Sequence, residues 1–335
     1  MAEKVYDVIQ FGRQTLVGTA VAATTRFPGK ADAPELDRSY RNPEEDYGSM
    51  SDEQPGRGAY GTRGASTRLS GDVRFEDVLH LLEMHLCTAG APAGTGSYTR
   101  THTADDTSDT TTKYTIETGS EDALDQWRLT GCVCDSLSLG FDALTAPGNA
   151  PWTLDASILG LNREIAALTG SVSAPATLET AEGHLSTLSE GTTATAFASL
   201  SELAASLVMF RATSTRPFVR RIYGGTSDTA TGWGLSGKAG VTFEAEVKIG
   251  ATAKADIVDI FEAAGSVLTE RRWRVRAAGT SPKALIVDGR VRFRTVGRGE
   301  REGEATYLIN GSYVKDATLG GRISVVTTSG VATIP

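Results

Sequence analysis

The apolar positions of the chain switch between two periods. In VTFEAEVKI (241–249), Val241, Phe243, Ala245, Val247 and Ile249 alternate with Glu244, Glu246 and Lys248. A period of two predicts a half-buried strand. RRWRVR (271–276) opposes Arg272, Arg274 and Arg276 to Trp273 and Val275, and Arg290, Arg292 and Arg294 oppose Val291 and Phe293. Further strands are predicted over 59–69, 112–119, 127–142, 151–160, 284–297 and 304–314. Two stretches change to helical spacing. DVRFEDVLHLLEMHL (72–86) sets Phe75, Val78, Leu79, Leu82 and Leu86 on one face, and ADIVDIFEAAG (255–265) does so with Ile257, Ile260, Phe261 and Ala264. Each predicts one amphipathic helix.

These elements come in the same order twice: strand, helix, strand, long bent strand, strand. Gly131 and Gly289 fall at matching points of the long strands, where they predict a bend, bulge or turn. The segment 7–29 is aligned with 207–225. The expectation is an α+β, β-rich fold of two similar domains, 1–160 and 206–335, joined by a connecting segment over 161–205. Each would be a twisted antiparallel sheet or partial β-barrel with one packed helix. The halves differ in their loops, with long polar insertions at 41–58 and 88–112.

Composition narrows the function. Of 335 residues, 40% are apolar and 22% charged, enough for packed cores. The net charge of −8 argues against a nucleic-acid binder, which needs a positive footprint. Cys87, Cys132 and Cys134 are too few and odd in number for a disulfide framework, which points to a reducing compartment. The opening MAEKVYDVIQ lacks the apolar region of a secretory signal, and no run approaches a membrane span.

Candidate chemistry is sparse. Gly232, Gly234 and Gly237 match a dinucleotide-binding spacing, but the strand-like 241–249 follows where a helix is required. Cys132 and Cys134 would need two more ligands to hold zinc, and His80 and His85 do not converge on one helix face. The pair is expected on one strand face with Ser136 and Ser138. His184 has Glu179, Glu182 and Ser186 nearby but no nucleophile elbow. Asp105, Asp106 and Asp109 lack calcium-loop spacing. No catalytic, cofactor or metal site is expected, and the chain does not read as an enzyme. The arginine rows put their aromatics on the opposite face, away from any base. They are expected to pair with Glu244, Glu246, Glu302 and Glu304, within the sheet or across a subunit boundary, rather than with DNA.

Two stretches carry a family resemblance. GRQTLVGTAVAATTRF (12–27) resembles the opening signature of long-tailed bacteriophage tail tube proteins. WRLTGCVCDSLSLGFDA (127–143), followed by PWTLDASILG (151–160), is similar to that family's mid-domain strand pair. The resemblance covers about 5–160, and the second half shares it through the repeat. It implies a virion structural protein, made in the bacterial host cytoplasm, whose sheets close into stacked rings around a channel. Double-stranded DNA would pass through without specific binding. The partners would be further copies of the chain, the tape measure and the tail terminator. Family subunits of one domain form hexamers; a duplicated chain favours a trimer with pseudo-sixfold symmetry, the hexamer being the alternative. Thr19, Ala20, Val21 and Ala22 would make flat contacts between subunits. Glu44, Glu45, Asp46, Asp52 and Glu53, in 41–58, would join successive rings. Another β-rich virion or cell-surface binding protein of the adhesin kind is the competing expectation; it calls for aromatic recognition loops, and the long loops hold few aromatics.

Overall fold

A computed structural model of the chain describes residues 8–41, 59–87, 89–103, 111–120, 125–143, 150–173, 178–203, 207–221, 230–250, 254–258, 261–262, 270–301 and 303–335. The protein is β-rich and antiparallel, with one α-helix among these residues. The first half holds β1 (Val8–Arg13), β2 (Thr25–Arg26), β3 (Lys30–Ala31), β4 (Glu35–Arg41), β5 (Ala59–Asp72), α1 (Val78–His85), β6 (Tyr98–Thr103), β7 (Tyr114–Gly119), β8 (Gln126–Asp142), β9 (Thr153–Gly160) and β10 (Asn162–Ile165). The second holds β11 (Ser186–Gly191), β12 (Ser201–Leu203), β13 (Leu207–Thr215), β14 (Phe218–Arg221), β15 (Gly232–Leu235), β16 (Gly240–Lys248), β17 (Glu270–Ala278), β18 (Ala284–Arg301), β19 (Glu304–Val314) and β20 (Ile323–Ser329).

The long strands organise the sheet. The first half of β8 lies between β7 and β10, and its second half lies between β9 and β13. β18 is built alike: β17 and β20 flank its first half, and β19 pairs with its second. Each long strand carries a bulge against its partner, between Cys134 and Ser136 and between Phe293 and Thr295. A bulge adds one residue to one strand and tightens the local twist. From edge to edge the main sheet runs β4, β5, β9, β8, β13, β16, β19, β18. The halves therefore join by strand pairing, β8 to β13, and again where β6 pairs β20.

The stretch 161–205 contributes β10 to β8 and β11 to β17. β11 stands to β17 as β1 stands to β7, and β12 pairs β11 as β2 pairs β1. The counterpart of β1 is thus β11 and not the segment 207–225, which supplies β13. Sequence alignment of two short Thr/Arg-rich strands carries too little information to choose between them; the hydrogen-bond partner decides.

β8 bends where Gly131 takes φ +62°. A Cβ there would lie 2.6 Å from Leu161 Cδ1 and 2.7 Å from its Cγ. Gly131→Ala therefore meets both a left-handed backbone and a blocked space. The expected loss is about 2–4 kcal/mol in urea unfolding; a loss under 0.5 kcal/mol would show that the bend does not need glycine.

The main core cluster includes residues of both halves, and a smaller one gathers Val133, Leu161, Phe218 and Trp233 under the β14–β15 pair. Trp152 meets Phe141 at 5.2 Å and Phe210, across the junction, at 5.8 Å between ring centroids. In the second half Trp273 packs on Phe243 at 5.0 Å and Phe293 at 5.3 Å. Trp273, Val275, Val291 and Phe293 all face inward, as the alternation predicts.

The helix differs from the expectation of an amphipathic 72–86. α1 is shorter, and all its residues are buried, including His80, Glu83 and His85. The polar side chains find partners instead of solvent. Tyr114 donates to Glu83 Oε2 at 2.9 Å, Arg13 donates to Glu83 Oε1 at 3.2 Å, and the His85 ring donates from Nδ1 to the Cys134 carbonyl at 2.8 Å. In the second half, a π-helical turn at Lys254–Val258 and residues 261–262 are helical; Ile257 is buried and Phe261 half-buried. Ile260 and Ala264 lie outside the described residues.

Candidate functional site

Period-two alternation gives the main sheet two unlike faces. One is the core. On the other, the registers align a row of short polar or charged residues across eight strands. Lys30 of β3 lies opposite Ser70, Ser70 opposite Asp155, Asp155 opposite Ser138, Ser138 opposite Thr213, Thr213 opposite Thr242, Thr242 opposite Ser312, and Ser312 opposite Arg292. A parallel row runs Thr153, Gly140, Arg211, Glu244, Asn310, Thr295. Neither row holds an aromatic residue, and both cross the β8–β13 junction without interruption.

Much of the charge on this face is paired. Arg68 donates from Nε to Asp155 Oδ1 at 2.7 Å and makes a second bond to the same carboxylate. Both groups are open to solvent, so the pair adds little stability. Arg301 bridges Glu246, at 2.8 Å, and Asp142 of the first half. Glu246 also accepts from Thr306 Oγ1 at 2.6 Å, and Lys248 pairs with Glu304 at 2.6 Å. Two open depressions mark the face. One, of about 660 Å³, has Lys30, Arg74, Asp155 and Arg211 on its walls; a smaller one, of about 270 Å³, lies between Arg211, Glu244, Arg294 and Asn310.

The arginine rows are ion-paired for the most part, with other carboxylates than those expected. Arg272 makes a two-bond contact with Asp316, at 2.9 and 3.1 Å, and lies 4.9 Å from the Phe197 ring centre. Arg274 does the same with Asp288, at 2.7 Å for both bonds. Arg290 and Arg292 share Glu270. Direct cross-strand opposition of Arg274 to Asp288 and of Glu270 to Arg292 makes these the nearest charges, whereas two strands, β18 and β19, lie between β17 and β16. Arg276 and Arg294 are exposed, with no ion pair among the described residues. Glu244 lines the smaller depression. Glu302 lies outside the described residues, as do Glu44, Glu45, Asp46, Asp52 and Glu53.

The small-residue run after β1 forms an exposed loop folded back on its own strand. Val21 N–H donates to Thr115 Oγ1 at 3.0 Å, and a Cβ on Gly12 would lie 2.7 Å from the Ala22 carbonyl oxygen. Small side chains let the loop hug β1 while Thr19, Ala20 and Ala22 stay exposed and Val21 is half-covered. Beside them Leu16 is 67% exposed, a large apolar side chain in water.

The remaining candidates separate. Gly232 and Gly234 lie in β15, which forms a hairpin with β14, so no helix N-terminus follows. Trp233 of that hairpin donates to the Gly131 carbonyl at 2.6 Å. Cys134 is buried opposite Ile158, whereas Ser136 lies opposite Ser157 on the polar face. The bulge between them moves the two sets to opposite faces, correcting the expectation of one shared face. Burial pushes the Cys132 and Cys134 thiols far above their usual range. His184 is exposed, while the Ser186 hydroxyl accepts from Trp152 Nε1 at 2.8 Å and Glu179 pairs with Lys283 at 3.1 Å. Asp105, Asp106 and Asp109 lie outside the described residues.

Sequence reasoning missed β6 inside the polar 88–112 stretch, where YTRTHT has only the Thr/Tyr β-preference as a signal. It also missed Arg216, whose isolation between Thr215 and Pro217 marks nothing.

Among the described residues, no three His, Cys, Asp or Glu side chains cluster as a metal site would require, and no helix is long and apolar enough to cross a membrane. No protein-family model matches the chain, and no curated protein matches it significantly.

Proposed function

We propose that the chain is the major tail tube subunit of a long-tailed bacteriophage: two tail-tube-like units in one polypeptide, closing with further copies into a ring, with rings stacked into a DNA-conducting tube in the virion tail. The observation that carries this is the polar row from Lys30 to Arg292, running across both halves on one continuous sheet. Two further observations support it. β1, β2, β5, β7, β8, β9 and β10 have counterparts, in the same pairing order, in β11, β12, β16, β17, β18, β19 and β20. The exposed small-residue loop beside Leu16 offers a flat apolar contact.

In this reading the polar sheet face lines the channel. Serine and threonine make up the middle of the row from Lys30 to Arg292, which keeps bulk out of the bore there. Its arginines at 68 and 301 already hold carboxylates, and the chain carries an excess of acid. DNA phosphates then meet few unpaired cations, each of which would hold the duplex and release counterions. Two units per chain favour a trimeric ring with pseudo-sixfold symmetry over a hexamer. The tape measure would occupy the bore before ejection, and a terminator would cap the last ring.

Negative-stain microscopy of the concentrated protein, with mass measurement on dilution, tests the proposal. Tubes of uniform diameter with a stain-filled bore and a trimeric building block are expected. A hexameric block would remove the duplicated ring. A monomer at every concentration, with no bored assembly, would remove the tube itself.

A further inference from the structure

Two strand edges of the main sheet are open among the described residues. The second half of β18, residues 293–301, pairs only with β19. At the far side, β3 and residues 35–37 of β4 pair only with β5. Open edges of this length are templates for pairing with another chain.

The chain already contains one junction of this kind. The second half of β8 pairs antiparallel with β13, with Ser138 opposite Thr213 and Leu137 opposite Ser214. Aligning the two bulges carries β8 onto β18, so that Ser136 falls on Thr295, Ser138 on Gly297 and Leu137 on Val296. Following the registers from those bulges across β9 and β5, and across β19 and β16, carries Thr213 onto Glu35 and Ser214 onto Leu36.

We infer that residues 295–301 of one copy pair antiparallel with 31–37 of a second copy, with Glu35 opposite Gly297 and Leu36 opposite Val296. The inference rests on the repeat proposed above and names the edges that join copies. Two observations favour a second copy as the occupant. Leu36 is 41% exposed, and the half-buried Val296 packs against the core edge; the register brings these two apolar side chains together. The two edges also differ in net charge: Asp32, Glu35 and Asp37 outweigh Lys30 on one, and Arg294, Arg298 and Arg301 outweigh Glu300 on the other; the register sets one like-charged pair, Asp32 and Glu300, opposite each other. The contact is heterologous, one edge against a different one, so it repeats until a ring closes.

The test is a cysteine pair, Glu35→Cys with Gly297→Cys, in the full chain at its highest soluble concentration under oxidised glutathione. A Cβ on Gly297 meets nothing within 4 Å, so the substitution fits. Covalent multimers are expected from the double variant, none from either single variant and none from Glu35→Cys with Lys238→Cys. No multimers from the double variant, or equal amounts from the control pair, overturns the inference. Leu36→Lys should abolish the multimers, and Val296→Glu added to it should restore them; no restoration counts against direct opposition. Bored tubes without these cross-links would remove the edge assignment and leave the tube. Cross-linked closed rings that never stack would keep the edge assignment and remove the tube.

Discussion

Arg216→Met is expected to destabilise the fold by about 3–6 kcal/mol, two charge-assisted hydrogen bonds at about 1.5–3 kcal/mol each. Arg216 follows β13 in the second half and is almost wholly buried. Its guanidinium donates to the His85 carbonyl at 2.9 Å and the Leu86 carbonyl at 2.6 Å. Those are carbonyls at the C-terminal end of α1, where a helix has no partners of its own and carries partial negative charge. The Arg216 backbone N–H meanwhile donates to the Asp135 carbonyl at 2.8 Å, at the β8 bulge. One residue thus ties the first-half helix to the strand that joins the halves. Methionine fills similar space but leaves the carbonyls buried without donors. Lysine keeps the charge and only one direction of donation, so Arg216→Lys should fall between. Urea unfolding of the three proteins measures this; a methionine variant within 1 kcal/mol of the parent would show that the anchor is dispensable.

Acid should weaken the protein well above the range where most carboxylates titrate. Burial pushes His80 down to about 3 and His85 and His102 each down to about 4. His85 and His102 each donate from Nδ1 to a carbonyl, of Cys134 and Cys87, and their Nε2 atoms have no partner among the described residues. In the folded chain all three stay neutral at pH 5, while in the unfolded chain they take up protons below about 6.5. The unfolded state then binds more protons, so stability falls as pH falls. Each histidine removes about 1.4 kcal/mol per pH unit, or roughly 6 kcal/mol for three between pH 6.5 and 5.

Asp77 works in the opposite sense. Burial, against the pull of Arg74, raises its carboxyl to about 7. The folded state binds this proton first, which adds stability as pH falls from 7, about 3 kcal/mol by pH 5. The net expectation is a loss of about 3 kcal/mol between pH 7 and 5, a difference between those two terms. Burial also raises Glu83, Asp135 and Asp288, which further moderates the loss. Asp77→Asn should steepen the acid loss and His85→Gln should flatten it. Urea midpoints across pH 5–7.5 check both signs, and a parent protein equally stable at pH 5 and 7 would contradict the buried-histidine account.

The candidate surface was legible only in its materials. Alternation in 241–249 and 271–276 identified which side chains face the core, because side-chain direction along a strand is a local property with period two. Trp273 and Phe243 follow from it. Arg272 and Arg274 were recognised as charge-pairing residues, but Asp316 and Asp288 were not recognised as their partners. Partner identity depends on which strands lie side by side, and no local pattern encodes that.

The helix shows the same limit. Helical spacing in 72–86 was visible, yet the spacing implied a solvent face that α1 lacks. Glu83 and the histidines can be buried because Tyr114, Arg13 and the Cys134 carbonyl come from elements 31 to 70 residues away. The sheet bulge at residue 135 is a second case. Counting by twos through CVCDSLSL puts Cys134 and Ser136 on one face; one extra residue sends them to opposite faces.

The sequence by itself determined the strand-rich class and, in 241–249 and 271–276, which side chains face the core, because each rests on residue preferences and periods that act within a few positions. The tertiary structure alone decided that β11 and not 207–225 matches β1, that β6 closes on β20, and that β8 and β13 merge the halves into one sheet with an unbroken polar face. Those choices set hydrogen-bond registers between distant segments, and a register is fixed by the fit of whole strands and their bulges rather than by any residue along one of them.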